Sequence, residues 1–189
     1  MDKYKYATAW TVHDGYLGVR TYRAFCACSV LDYNKHVTQF LRNREILTYQ
    51  LEGKTKQLTP DFKVCHKGSE FYLHCYKDSA LTEIQKELLS QQYPIEFWEE
   101  SKLINHPMVE NINLMRRYHH GSLLPNIEES LVIPSLSNLP LSAQNLCDQL
   151  GYSLGEANKL LLKLSAYRKL RFDVNQPYTA TTEFHLVES

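Results

Sequence analysis

Two apolar and aromatic runs joined by a turn constrain the fold of this chain most strongly. They lie in TPDFKVCHKGSEFYLHCYKD, residues 59–78, where HKGS separates FKVC from EFYLHCYK. Aromatic and branched side chains favour strands, and the Gly-Ser pair favours a turn. The preceding REILTYQLEGKTKQL alternates around a Gly-Lys turn, which predicts a β-hairpin with strands over 46–52 and 57–64.

Helix-like segments surround these strands. YRAFCACSVLDYN has the length and the small or apolar residues of a buried helix, and SALTEIQKELLSQQYP is amphipathic, with Ser79 as its candidate N-cap. IEFWEES is typical of a short strand, and HPMVENINLMRRYHHG of a helix that ends in basic residues and glycine. The predicted fold class is therefore α+β.

A change in composition predicts a domain boundary. LLPNIEESLVIPSLSNLPLS contains three prolines and several serines, which is typical of a linker. The predicted organisation is a first domain, a linker and a second domain, over residues 1–125, 126–140 and 141–189.

The second domain has the outline of a winged helix-turn-helix. Ser142 begins a short helix that stops at Gly151. Ser153 and Glu156 form a capping box for a second helix, which runs to about Ala166. Two strand-like segments follow, KLRFDV and TATTEFHL. This order is typical of DNA-binding winged domains, and it also occurs in small α+β domains without a DNA role.

The overall charge excludes one mode of nucleic-acid binding. Lys+Arg and Asp+Glu balance at 21 each, so adhesion by bulk charge is not expected. Residues 126–189 nevertheless contain a cluster of positive side chains. Two of them, Lys159 and Lys163, are four residues apart and are expected to share an exposed helix face. The cluster is interpreted either as DNA contacts or as an ordinary solvated face, and it comprises Lys159, Lys163, Arg168, Lys169 and Arg171.

The sequence predicts a cytoplasmic protein. Its N-terminus lacks the apolar stretch of a signal peptide, and no run approaches the ~20 apolar residues of a membrane span. Five cysteines are present, without a secretory disulfide pattern or the spacing of a zinc site. They are expected to be free thiols.

The strands of residues 59–78 carry part of a nuclease site. Asp61 stands at the start of one strand and Lys77 near the end of the next, so a hairpin would bring them together. Metal-dependent nucleases use carboxylates to bind Mg²⁺ and a lysine to position or help deprotonate the attacking water. Taken alone, such a pair also occurs by chance in many chains, so its meaning depends on the elements around it.

The elements that contain this pair occur in a characteristic order. YQLEGKTKQLTPDFKV, EFYLHCYK, YPIEFWEE and HPMVENINLMRRY, followed by a small winged helix, together resemble the TnsA family over roughly residues 18–185. Members are endonuclease subunits of two-component transposases, similar to restriction enzymes of the PD-(D/E)xK fold, with a C-terminal winged helix. The resemblance implies a mixed α/β/α nuclease domain that cuts transposon 5′ ends. The implied partners are DNA, a separate transposase and an ATPase regulator.

The site that the resemblance implies is incomplete. The family's aspartate and lysine match Asp61 and Lys77, but the Glu or Gln of its (E/Q)xK pair falls on Cys75. The family's helix glutamate falls at about Ala24, and the nearest acid, Asp32, lies two turns further along. A neutral thiol suits Mg²⁺ poorly and alanine offers no ligand. The expected cofactor is therefore none, or Mg²⁺ held weakly by Asp61 alone.

Three functions are compatible with this sequence. The favoured one is a catalytically degenerate TnsA-like protein that acts through DNA and protein partners. The second is an active Mg²⁺ endonuclease whose missing carboxylate comes from Glu83 or Glu87 on the following helix. The third is a DNA-binding regulator or adaptor outside transposition.

Overall fold

The computed structural model describes the greater part of the chain. The chain divides into two compact units, Met1–Val109 (unit 1) and Glu110–Ser189 (unit 2). The predicted linker over 126–140 lies outside the described residues, so the predicted domain limits remain predictions. Within the described part, no helix is long and apolar enough to cross a membrane. The described residues are 6–8, 17–119, 141–167 and 169–187.

Most of the described strands belong to unit 1. The elements of that unit are, in chain order, β1 Tyr6–Thr8, β2 Leu17–Val19, α1 Tyr22–Tyr33, β3 Val37–Arg42, β4 Leu47–Leu51, β5 Lys54–Leu58, β6 Phe62–His66, β7 Ser69–Tyr76, α2 Glu83–Gln92, β8 Ile95–Glu99 and α3 Glu100–Ile104. Helix α4, Pro107–His119, begins in unit 1 and continues into unit 2. Unit 2 also contains α5 Ala143–Leu150, α6 Leu154–Ala166, β9 Leu170–Arg171 and β10 His185–Leu186.

A four-stranded sheet organises unit 1. Its strand order is β3-β6-β7-β8, with β7 and β8 parallel and the other neighbours antiparallel. Leu73 and Cys75 of β7 pack with residues of α1 and with Phe62 in the larger core cluster. Tyr72 points to the opposite face, where it packs in the cluster of Leu89 from α2. The sheet thus lies between α1 and α2, and the α+β fold class is confirmed.

The hairpin between β3 and β6 differs from the prediction in its second strand. β4 pairs with β5 around Glu52 and Gly53, whose φ angles of 50° and 71° form a two-residue turn. β5 therefore begins directly after the turn. The predicted strand over 57–64 is wrong, because two different strands share it. Pro60 separates them, since proline cannot donate a ladder hydrogen bond.

The other predicted elements of unit 1 are confirmed, with one change in a cap. α1, β7, β8 and α4 lie where the sequence predicts them. The predicted N-cap Ser79 is wrong, since it precedes α2 by several residues and has a φ of 63°. Thr82 is the N-cap, because its hydroxyl accepts from the Gln85 amide and its own amide donates to the Gln85 side chain at 2.9 Å.

The predicted caps of unit 2 are also confirmed. Ser142 and Gly151 flank α5, with Gly151 in the left-handed conformation (φ 71°). Ser153 and Glu156 form the capping box of α6. The strand pair that follows is shorter than the predicted segments, since β9 and β10 have two residues each. Unit 2 thus contains two capped helices joined by a short turn, followed by a small antiparallel pair.

Candidate active-site cavity

A buried bend before β6 holds Asp61 at the end of the sheet. Asn43, which follows β3, donates its main-chain amide to the Asp61 carbonyl (3.0 Å) and its side-chain amide to the Pro60 carbonyl (3.4 Å). The amide of Asp61 donates to the Leu73 carbonyl on β7 (2.9 Å). Asn43 is only 6% exposed, so these bonds form away from bulk water and fix the bend.

The Asp61 carboxylate bonds to the neighbouring strand. The amide of Cys75 lies beyond the last β6–β7 pair, and it donates to Asp61 Oδ2 at 2.8 Å. The same oxygen lies 3.2 Å from Nδ1 of His74, but the two atoms do not have the geometry of a hydrogen bond. The Asp61 side chain is 25% exposed. The carboxylate thus satisfies a strand amide while one side of it remains accessible.

A cavity of about 140 Å³ opens beside this carboxylate. Asp61 and Ala24 both line it, so the structure brings together the two positions where the TnsA resemblance implies an aspartate and a glutamate. Asp61 is the one acidic residue among the described lining residues. The other polar side chains of the lining belong to Arg20, Arg42, Asn43 and Thr59.

Cys75, at the position where the TnsA resemblance implies a Glu or Gln, carries a buried neutral thiol. Its side chain is fully buried in the core cluster with Cys28 of α1. Burial, and secondarily the negative charge of Asp61, raise the pKa of the Cys75 thiol far above its ordinary value. A thiol with a raised pKa is a poor nucleophile at neutral pH, and it is a poor ligand for Mg²⁺. The buried thiol of Cys75 is therefore a poor substitute for a carboxylate at this position.

Lys77 does not line the cavity. It is exposed and directly follows the last residue of β7. Although both residues lie in the described part of the chain, no hydrogen bond or ion pair joins the Lys77 side chain to Asp61. The end of β7 is instead held by Arg23, whose Nε donates to the Cys75 carbonyl at 2.7 Å. The hairpin thus brings Asp61 next to Cys75 and His74 rather than next to Lys77.

The candidate substitute acids also lie away from the cavity. Glu83 and Glu87 are exposed on α2, and Glu83 forms an ion pair with Lys86 at 2.6 Å. Asp32 is buried near the C-terminal end of α1, whereas Ala24 of the cavity lies in the first turn. Neither α2 acid nor Asp32 lines the cavity. Within the described residues, no three His, Cys, Asp or Glu side chains form a group that could hold a metal ion.

The expectation that Lys163 shares an exposed face with Lys159 is wrong. Lys159 is exposed, but Lys163 is 1% exposed. Every residue of α6 over 160–166 is buried, so tertiary packing covers the C-terminal half of the helix on all sides. A four-residue spacing places two side chains on one face of a helix, but it does not determine whether that face meets solvent.

Two further cations of the predicted cluster are exposed. Lys169 immediately precedes β9, and Arg171 is its second residue. Arg168 lies outside the described residues. The exposed part of the cluster therefore consists of Lys159, Lys169 and Arg171 within the described part of unit 2.

The site predicted from the sequence does not include four residues that lie around Asp61, and only one of them, His74, has a signal in the sequence. His74 follows from the strand register, because Lys67 and Gly68 form a two-residue turn (φ 51° and 80°) that places residue 74 opposite residue 61. The others have no comparable signal, since they come from the segment before α1 and from the end of β3. They are Arg20, Arg42 and Asn43.

No protein-family model matches this chain, and no curated protein is significantly similar to it. The site combines one carboxylate, one alanine, one buried thiol and two arginines.

Proposed function

We propose that this chain is a TnsA-like protein of the PD-(D/E)xK nuclease fold with a degenerate nuclease site, which acts in DNA transposition or recombination through DNA and protein partners. The observation that carries the proposal is the cavity beside Asp61, whose described lining contains one acidic side chain. Mg²⁺ demands near-octahedral oxygen coordination, and catalysis requires it to be held in a fixed position. A single carboxylate that also binds the Cys75 amide meets neither need.

The placement of the replaced positions supports nuclease ancestry. Asp61 precedes β6, Cys75 lies on the neighbouring β7, and Ala24 lies in the first turn of α1. These are the elements on which the TnsA resemblance implies the aspartate, the Glu or Gln, and the helix glutamate. The positions are adjacent in space, but two of them carry side chains that cannot bind Mg²⁺.

The capped helices and strand pair of unit 2 support a winged-helix role in DNA binding. In such domains the N-terminal part of the second helix contacts DNA, and the following strands contact the backbone. The N-terminal part of α6 is the exposed part of that helix and carries Lys159, while Arg171 is exposed on β9. The proposed partners are DNA, a transposase and an ATPase regulator. The proposed location is the cytoplasm, with no cofactor or with weakly bound Mg²⁺.

Reversing the exposed charges of unit 2 should weaken DNA binding in the absence of metal. For the double variant Lys159→Glu and Arg171→Glu, we expect lower affinity for duplex DNA and a salt dependence smaller by about one counterion per lost phosphate contact. Fluorescence anisotropy with EDTA at several salt concentrations measures both quantities.

Lys35→Glu provides a control with the same change in charge. Lys35 is exposed just before β3, whereas the cavity lies at the other end of that strand, beside Arg42. We expect this variant to bind DNA like the wild type. Equal affinity and equal salt slope in the wild type and the unit 2 double variant would remove the winged-helix surface from the proposed function.

An active endonuclease is the second candidate, favoured by one observation: Asp61 is retained and lines the cavity. This candidate requires a second acid from a partner or from outside the described residues. It predicts metal-dependent DNA nicking that depends on Asp61, whereas the degenerate-site proposal predicts none.

A further inference from the structure

We infer that the cavity beside Asp61 binds a phosphate group directly, through Arg20 and Arg42 and without a metal ion. The inference rests on the proposed function, in which this cavity is the remnant of a metal site. The ligand of the cavity is then an anion, whereas the metal site that the TnsA resemblance implies would bind a cation. The favoured source of the phosphate is the DNA backbone.

The charge of the described lining favours an anion. Arg20 and Arg42 contribute two positive charges and Asp61 one negative charge, which leaves a net charge of one positive. The negative charge is partly compensated within the protein, because the Asp61 carboxylate accepts the Cys75 amide at 2.8 Å. A divalent cation would face two guanidinium groups and one carboxylate, so it is disfavoured at the same place.

The chemistry of the arginines matches phosphate. A guanidinium presents five N–H donors in a planar fork that fits two phosphate oxygens at once. Each arginine can therefore keep contacts within the protein and still donate to a ligand. Arg20 is exposed and Arg42 is half-buried, so solvent reaches the site and an extended backbone can approach it.

The start of α1 adds to this arrangement. Arg20 directly precedes the N-cap Thr21, and Ala24 in the first turn lines the cavity. The N-terminal end of a helix carries a partial positive charge, which favours anions. A glutamate at position 24 would place a negative charge here, whereas Ala24 leaves the cavity without it.

Substitutions of the cavity arginines and of Asp61 should change the affinity for DNA in opposite directions. With EDTA present, we expect Arg20→Gln combined with Arg42→Gln to weaken binding of a fluorescent DNA duplex several-fold and to lower the salt slope by about one per lost contact. Asp61→Asn should strengthen the same binding, because it removes the one negative charge of the described lining. A metal site predicts a different result when Mg²⁺ replaces EDTA, because Asp61→Asn would then lose divalent-dependent binding.

Two controls keep the test interpretable. Lys35→Gln combined with Lys56→Gln removes two exposed charges of unit 1 outside the cavity and should leave the affinity less changed than the double arginine variant does. Arg20→Lys combined with Arg42→Lys keeps both positive charges but lacks the planar guanidinium groups. This variant should bind DNA more tightly than the double glutamine variant and less tightly than the wild type. Near-ultraviolet circular dichroism establishes that each variant is folded.

Titration with inorganic phosphate, followed by ³¹P NMR, separates the possible sources of the phosphate. Saturable binding of free phosphate that the double arginine variant loses, together with unchanged DNA binding, would retain the site and reject DNA as its source. Unchanged binding of both probes in a folded double variant, or weaker DNA binding by Asp61→Asn, would overturn the inference. Either result leaves the proposed function standing if the unit 2 variant still loses DNA affinity, so the two failures are distinguishable.

Discussion

Replacing Cys75 by glutamate should destabilise unit 1 by about 3 kcal/mol or more, because it places a carboxylate in an apolar core. The Cys75 side chain is fully buried and packs with residues of α1, and the Asp61 carboxylate accepts the amide of the same residue. The introduced acid would therefore be desolvated and would lie close to a like charge. Placing at this position the acid that the TnsA resemblance implies is thus expected to damage the fold rather than to build a metal site.

The pH dependence of this variant has a definite sign. Burial and the charge of Asp61 should raise the pKa of the introduced carboxyl in the folded state above its unfolded value of about 4.3. Between these two pKa values the folded state binds more protons than the unfolded state. The loss of stability caused by the substitution therefore grows as the pH rises from the unfolded pKa towards the folded one. The part of this loss that is due to charge should disappear below about pH 3, where the carboxyl is protonated in both states, whereas the cost of packing a larger side chain into the core remains.

Urea unfolding followed by tryptophan fluorescence measures the effect in unit 1, because both tryptophans, Trp10 and Trp98, precede residue 110. The control is Cys75→Ala, which keeps the position apolar and should cost less than Cys75→Glu at neutral pH. A Cys75→Glu protein as stable as Cys75→Ala at pH 7 would contradict the burial of this side chain. It would also reopen the position for a metal-binding acid.

Reversing the charge of Lys163 should destabilise unit 2 by about 3 kcal/mol or more, whereas the same change at Lys159 should stay within about 0.5 kcal/mol. The two lysines lie one helical turn apart on α6, but Lys163 is 1% exposed and Lys159 is exposed. Glutamate at the buried position would bring a shorter, oppositely charged side chain into packed surroundings. Thermal unfolding followed by far-ultraviolet circular dichroism gives the comparison.

Lys163→Met is the matched control for this pair. It keeps the unbranched aliphatic stem and should cost less than Lys163→Glu. Equal stabilities of Lys159→Glu and Lys163→Glu would show that both side chains are exposed, and would return Lys163 to the proposed DNA-binding surface. The burial of Lys163 also means that reduced DNA binding by Lys163→Glu would report on folding rather than on a phosphate contact.

Local chemistry accounts for the parts of the fold that the sequence predicts well. Ser142, Ser153 and Glu156 cap their helices as expected, because a cap depends on neighbours within four residues. β7 forms where aromatic residues alternate, and its turn fixes the register that sets Asp61 beside it. These features depend on short spans of chain.

Two of the failures have a common physical cause, which is packing between distant segments. The burial of Lys163 depends on what covers the C-terminal half of α6, and a helical spacing carries no such information. The cavity arginines come from before α1 and from the end of β3, so only the folded chain brings them to Asp61. The error in the second strand of the hairpin has a local cause instead, because Pro60 divides one alternating run between two strands.

The most direct test of the account is a nicking assay on supercoiled plasmid DNA with Mg²⁺ or Mn²⁺, comparing the wild-type protein with Asp61→Ala prepared in parallel. A degenerate site predicts that both proteins leave the plasmid supercoiled, at concentrations where the wild type binds DNA in EDTA. Loss of catalytic electrostatics worth several kcal/mol removes useful cleavage. Metal-dependent nicking by the wild type that is abolished in Asp61→Ala would contradict the account and identify an active nuclease.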